Sequence, residues 1–143
     1  MKRSILYFDD EVACIDVFQE MFGDDFDIRT ASNLSDARRA MLERAADIVI
    51  SDRRMPEIDG TEFLREVSEL YPASYRVMLT GSATLGDLIR EISDGVVNLF
   101  VAKPWTEQSM RGLLERASSS FELRRMQLRR AAQAAGEALP TPA

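Results

Sequence analysis

Residues Asp47 to Gly60 read DIVISDRRMPEIDG, and the fold turns on how this stretch is understood. Asp47 to Ser51 is a short, β-branched apolar run, the pattern of a strand buried on both faces. Asp52 ends the run. Arg53 and Arg54 follow, then Met55-Pro56 and Asp59-Gly60, and Pro and Gly break regular structure. Asp52 therefore stands where a buried strand opens into a loop. In open parallel sheets, ligands and chemistry gather at that edge. The carboxylate reads either as a nucleophile or metal ligand, or as an Asp that simply begins a turn.

The same pattern repeats on either side. Ser4 to Phe8 is a buried strand ending in Asp9, Asp10 and Glu11. A helix follows with Cys14, Val17, Phe18 and Met21 at helical spacing. Phe26 to Thr30 is a weaker second strand, and Ser32 or Asn33 caps a helix whose inner face is Leu34, Ala37 and Met41. After Gly60 a helix presents Phe63, Leu64, Val67 and Leu70, and Tyr71-Pro72 stops it. Tyr75 to Leu79 is a fourth strand ending at Thr80-Gly81. The next helix carries Leu85, Leu88, Ile89 and Ile92, and Gly95 closes it. Leu99 to Ala102 is a fifth strand ending at Lys103-Pro104-Trp105, and Thr106 caps a last helix with Met110, Leu113, Leu114 and Ala117 inward. Five alternations of strand and helix predict a parallel sheet with helices on both faces.

The chain has 143 residues, enough for one domain with a good core. No apolar run approaches the roughly 20 residues of a membrane span, and no signal peptide is recognisable. With one cysteine, Cys14, no internal disulfide forms. The expected location is cytoplasmic. A net charge of −6 argues against non-specific nucleic-acid binding, so the Arg124-Arg125 and Arg129-Arg130 pairs read as a solvated helix face. Histidine is absent, which excludes His-based triads, His-ligated zinc and any phosphohistidine on this chain. Chemistry must rest on carboxylates, lysine, hydroxyls and oxygen-bound metal ions.

The strand ends bring such groups to one edge: Asp9 and Asp10, Asp52, Thr80 and Lys103. Converging carboxylates repel, and a hard divalent cation relieves the repulsion. Mg²⁺ and the Lys103 ammonium together cancel three carboxylate charges, which prepares the site for an incoming anion. Phosphoryl transfer onto Asp52 fits this arrangement. Each residue also has an ordinary reading: Asp10 as a helix cap, Thr80 as a strand end, Lys103 as a solvated lysine.

FDDE around Asp9 and Asp10, SDRRMPEIDG around Asp52, MLTG around Thr80 and FVAKPW around Lys103 stand in an order that resembles the receiver domains of two-component response regulators. The resemblance covers about residues 3 to 118. It implies a flavodoxin-like, five-stranded parallel sheet in order 2-1-3-4-5, with Asp52 as the phosphoryl acceptor. It also implies Mg²⁺ held by Asp10, Asp52 and the backbone carbonyl of Arg54, with Asp9 acting through a bound water. Lys103 becomes the phosphate-pairing lysine, Thr80 the switch hydroxyl and Phe100 the switch aromatic. The Lys103-Pro104 bond is expected to be cis. Gly81 stands where many members have Ala, and Phe100 replaces the commoner Tyr.

The implied function is a phosphorylation-controlled switch supplied by a histidine kinase or phosphotransfer protein and acting on a downstream effector. The alternative is a pseudo-receiver that docks without phosphate. A flavin carrier of this fold would need a phosphate-cradling loop where the acidic Asp9-Asp10-Glu11 lies. A haloacid-dehalogenase-type phosphatase would need an Asp where Arg54 stands.

Residues 1–118 are expected to form the receiver, with no room for an effector domain beyond them. Residues 119–143 should be a helical extension or linker whose end, from Gly136, is disordered. Helix-forming residues run on for about five turns past Ala117. Leu114, Ala117, Phe121 and Leu128 are the expected seam of a homodimer, with Arg124 on it.

Overall fold

A computed structural model describes residues 2–81 and 85–136. Its elements alternate as β1 (Ser4–Phe8), α1 (Val12–Phe22), β2 (Asp27–Ala31), α2 (Leu34–Glu43), β3 (Ile48–Asp52), α3 (Gly60–Leu70), β4 (Tyr75–Thr80), α4 (Leu85–Ser93), β5 (Leu99–Ala102) and α5 (Glu107–Ala134). The strands form one parallel sheet in the expected flavodoxin-like order, β2-β1-β3-β4-β5. Strand limits differ from the sequence reading by a residue: β3 includes Asp52, β4 includes Thr80, and β2 runs Asp27–Ala31.

Alternate strand residues point to opposite faces, and both faces are covered. Ile5, Tyr7, Ile48, Ile50, Val77 and Leu79 pack with α1 and α5. Leu6, Phe8, Val49 and Met78 pack with α2, α3 and the Val96-Val97 segment. The helix starts follow capping chemistry. Asn33 accepts from the Asp36 N–H, and Thr106 and Ser109 form a reciprocal capping box.

Three helix faces differ from the sequence reading. In α1 the buried set is Ile15, Phe18 and Phe22, while Val17 and Met21 are exposed and Cys14 is half-buried. Both sets have helical spacing and share Phe18. Aromatic contacts decide between them: Phe18 stacks on Tyr7 at 4.3 Å, and both Phe18 and Phe22 meet Trp105. Leu70, at the last turn of α3, is exposed. In α4, Ile89 and Ile92 face outward while Glu91 is buried; the Leu85 side chain lies outside the described residues.

Helix α5 covers the sheet beyond Ala117. Met110, Leu114, Ala117 and Phe121 are all buried in the chain's own core. Glu122 accepts from Arg3 at 2.8 Å, and Arg124 donates to Asn98 and lies over the Tyr75 ring. The expected dimer seam is thus mostly occupied: Leu114, Ala117 and Phe121 face inward, and Arg124 is engaged. Leu123, Met126 and Leu128 are exposed on the outrunning end. Gly136 follows the helix with φ 75°, in the left-handed region that glycine adopts at helix ends. The expectation for residues 137–143 falls outside the described residues.

Candidate active site at the strand ends

The parallel sheet carries Asp9, Asp52, Thr80 and Lys103 to one edge. Asp52 lies opposite Leu79, and Thr80 opposite Ala102, so the ends of β3, β4 and β5 are level. The Lys103 N–H donates to the Thr80 carbonyl, which draws the lysine back over the sheet. Its Nζ lies 2.8 Å from Asp52 Oδ1 and 3.8 Å from Asp9 Oδ2. The Lys103-Pro104 peptide is cis, as expected.

Asp9 is fully buried. Its Oδ1 accepts from the Glu11 N–H at 3.0 Å, and the Tyr7 hydroxyl lies 3.4 Å from its Oδ2. Burial pushes the Asp9 carboxyl up; the Glu11 N–H opposes this, the Asp52 charge adds to it, and Lys103 pulls it back. Burial also draws the Lys103 ammonium down. The hydrogen bond and charge of Asp52, with Asp9, outweigh burial and leave it raised. Lys103 is therefore a fixed cation at neutral pH.

Carboxylate oxygens of Asp9, Asp10 and Asp52 lie within 4.8 Å of one another. Asp10 is exposed at the rim while the other two are buried, a hard-oxygen donor set open on one side. That suits Mg²⁺, which keeps several of its waters. Arg54 follows in the loop, bridged to Asp59, and lines a pocket of about 230 Å³ with Glu11, Asp52, Arg53, Thr80, Gly81 and Lys103. Thr80 Oγ1 is buried and has no hydrogen-bond partner among the described residues. Phe100 is half-buried on β5 against the second core cluster, opposite Met78.

Two features of this edge escape a sequence reading. Tyr7 lies two residues before Asp9, so strand alternation puts both on one face; that spacing was the available signal. The other is a buried polar group behind Asp52. The Arg53 N–H donates to Asp52 Oδ1, and its guanidinium reaches Glu91 of α4 at 3.2 Å. Nothing in the sequence marks Glu91 as buried.

A second, more apolar groove of about 530 Å³ adjoins the Asp52 pocket through Glu11 and Lys103. Cys14, Val17 and Met21 of α1 and Trp105 form its walls. Among the described residues, no helix is long and apolar enough to cross a membrane.

The chain is similar to known proteins in both sequence and fold. The family model described as "Response regulator receiver domain" matches residues 5–115. The C4-dicarboxylate transport transcriptional regulatory protein DctD of Rhizobium meliloti is 36% identical over 119 residues, covering 78% of this chain and 25% of that protein. The hydrogenase transcriptional regulatory protein HoxA of Cupriavidus necator is 29% identical over 104 residues, covering 73% of this chain and 22% of that protein. The chain thus spans about a quarter of the length of these relatives. Among solved structures, a response regulator receiver domain protein from Clostridium thermocellum superposes with TM-score 0.77 at 27% identity, covering 85% of this chain and 98% of that one. The signal receiver domain of an HD domain-containing protein from Pseudomonas fluorescens Pf-5 gives 0.80 at 25% identity, covering 87% and 93%.

Proposed function

Because the chain belongs to the response regulator receiver domain family, we propose that it is a phosphorylation-controlled switch with Asp52 as the acceptor. The observation that carries this reading is the Lys103–Asp52 pair beside a buried Thr80 hydroxyl that has no partner among the described residues. An unsatisfied buried hydroxyl costs about 1–3 kcal/mol. A phosphoryl oxygen on Asp52 is an acceptor that relieves this cost, so the resting state is poised for the modified one.

The chain has no histidine, so a partner histidine kinase or phosphotransfer protein supplies the group in the cytoplasm. A carboxylate oxygen of Asp52 attacks phosphorus in line. The P–N bond of the donor phosphohistidine breaks, its electron pair stays on the imidazole, and that nitrogen takes up a proton. The product is an acyl phosphate on Asp52, which water later hydrolyses. Lys103 holds its positive charge against the phosphoryl oxygens throughout. Asp10, Asp52 and the Arg54 carbonyl would hold Mg²⁺, with Asp9 behind a bound water; bound Mg²⁺ supplies further neutralisation of the equatorial oxygens.

The groove of Cys14, Val17, Met21 and Trp105 adjoins the acceptor and is where the donor's surface would rest. On phosphorylation the Thr80 hydroxyl moves toward Asp52 and Phe100 takes the space it leaves. A downstream effector, or a second copy of the chain, would meet the exposed end of α5 at Leu123, Met126 and Leu128.

Intact-mass measurement after incubation with acetyl phosphate tests the acceptor. The unaltered chain is expected to gain one phosphoryl group with Mg²⁺ and little in EDTA, and Asp52→Asn to gain none. Equal labelling of Asp52→Asn overturns the assignment. No labelling of the unaltered chain favours the docking module that takes no phosphate.

A further inference from the structure

The polar group behind Asp52 has its own logic. Arg53 directly follows the acceptor and touches it through the backbone, N–H to Asp52 Oδ1 at 3.0 Å. Its side chain turns away, to Glu91 Oε2 at 3.2 Å and toward Asp87 Oδ2 at 4.0 Å. The other Glu91 oxygen accepts from the Thr61 hydroxyl, in the first turn of α3, at 2.8 Å. The Arg53 and Glu91 side chains are only 13% and 11% exposed. Among the described side chains of α4, Glu91 is the only buried one; Ile89 and Ile92 face solvent. Among its described side chains, α4 turns a charge inward where α1, α3 and α5 turn apolar groups.

We propose that the Arg53–Glu91 ion pair positions α4 and makes its seating depend on the charge at Asp52. The inference rests on Asp52 being the phosphoryl acceptor. Arg53 is among the residues around the pocket of Asp52, Thr80 and Lys103, and its backbone N–H already meets Asp52, so a new anion on Asp52 competes for its guanidinium with the acids of α4. At rest those acids are Glu91 at 3.2 Å and, more distant at 4.0 Å, Asp87. A phosphoryl group on Asp52 adds an anion of higher charge and three acceptor oxygens, to which a guanidinium binds strongly. Drawing Arg53 toward it leaves Glu91 with Thr61 alone, and α4 loses the cation that holds its buried side. A modification shifts a conformational equilibrium only by interacting differently with the two states; here the difference is the partner of Arg53. Glu91 is thus a positioning residue acting through Arg53, and it touches no reacting atom.

The experiment compares amide hydrogen exchange in the full chain and in Glu91→Gln, which keeps an acceptor for Thr61 and removes the charge. At rest, Glu91→Gln should exchange Gly86–Ser93 amides about tenfold faster, with β1, β3 and β4 unchanged. Adding Mg²⁺ and beryllofluoride, a phosphoryl mimic, should speed α4 exchange in the unaltered chain and add little in Glu91→Gln. Arg53→Gln should exchange α4 at least as fast as Glu91→Gln, since it also loses Asp87, and the double variant should be no worse than Arg53→Gln, because the two changes share one contact. Additive effects, or an α4 response to the mimic undiminished by Glu91→Gln, overturn the proposal. If Glu91→Gln does not fold, Arg53→Lys carries the same comparison, keeping the charge but losing the forked contact. An unaltered chain that takes no phosphoryl group overturns the acceptor reading and this one together. A chain that takes it, with α4 indifferent to Glu91, overturns only the coupling.

Discussion

Gly60→Ala is expected to destabilise the protein although it improves a helix former. Gly60 is the first residue of α3, and its N–H donates to the Arg53 carbonyl at 2.8 Å. An added Cβ falls inside contact distance of the Asp52 carbonyl oxygen and lies 3.0 Å from Arg53 Cα and 3.1 Å from the Asp52 carbonyl carbon. All three are backbone atoms at the end of a strand hydrogen-bonded on both sides, so no side chain can swing aside. Overpacking of this kind costs about 1–3 kcal/mol, against a propensity gain of at most about 1 kcal/mol. The net expectation is a loss of about 1–2 kcal/mol, or about 3–6 °C in Tm for a domain of this size.

Gly112→Ala provides the internal comparison. It lies within α5 and its added Cβ meets nothing within 4 Å, so propensity acts alone and stability should rise by about 0.5–1 kcal/mol. Urea unfolding reads both, with slopes unchanged and midpoints moving in opposite directions. The crowding bears on the acceptor strand itself, so Gly60→Ala should also slow phosphoryl uptake about tenfold or more, while Gly112→Ala leaves it alone. A Gly60→Ala chain as stable as its parent refutes the close approach of α3 to Asp52.

Three other outcomes follow from the same geometry. Thr80→Val removes an Oγ1 with no partner among the described residues and should stabilise the unphosphorylated chain by about 1 kcal/mol while weakening its response to beryllofluoride; a loss of stability in urea would show that the hydroxyl is already satisfied. Burial, the Asp9 charge and Glu11 push the Cys14 thiol up, so at pH 8 less thiolate forms than in free cysteine. Iodoacetamide should react more slowly, the rate should climb only at higher pH, and Mg²⁺ beside Asp9 should speed it; a rate matching free cysteine contradicts this. Ending the chain at Ser118 removes Phe121 from the core and Glu122 from Arg3, at a cost of about 3–5 kcal/mol by analogy with Phe→Ala; unchanged denaturation would place the end of the folded unit near Ala117 after all.

Strands and the residues at their ends were legible because they depend on local pattern. A run such as Ile48–Ile50 reads as buried on both faces wherever it occurs, and the residue where it stops lands on the sheet edge. Family-specific spacing then assigned roles to those residues. The helix faces were less legible because distant residues decide them. In α1, the choice between Val17-Met21 and Ile15-Phe22 was made by Tyr7 and Trp105. In α4, Glu91 faces inward because Arg53, 38 residues away, meets it there. Both helices flank the acceptor: α1 borders the groove ending at Lys103, and α4 is tied to the residue after Asp52. A hydrophobic pattern that the fold declines to bury remains available for another surface, and departures from local rules gather where a protein works. Val17 and Met21 beside the Asp52 pocket, and Ile89 and Ile92 on a helix tied to Arg53, are apolar residues of that kind. On the proposed function, a donor meets the first pair and the second lies on the helix tied to the residue after Asp52, so one phosphoryl group at Asp52 would act on both.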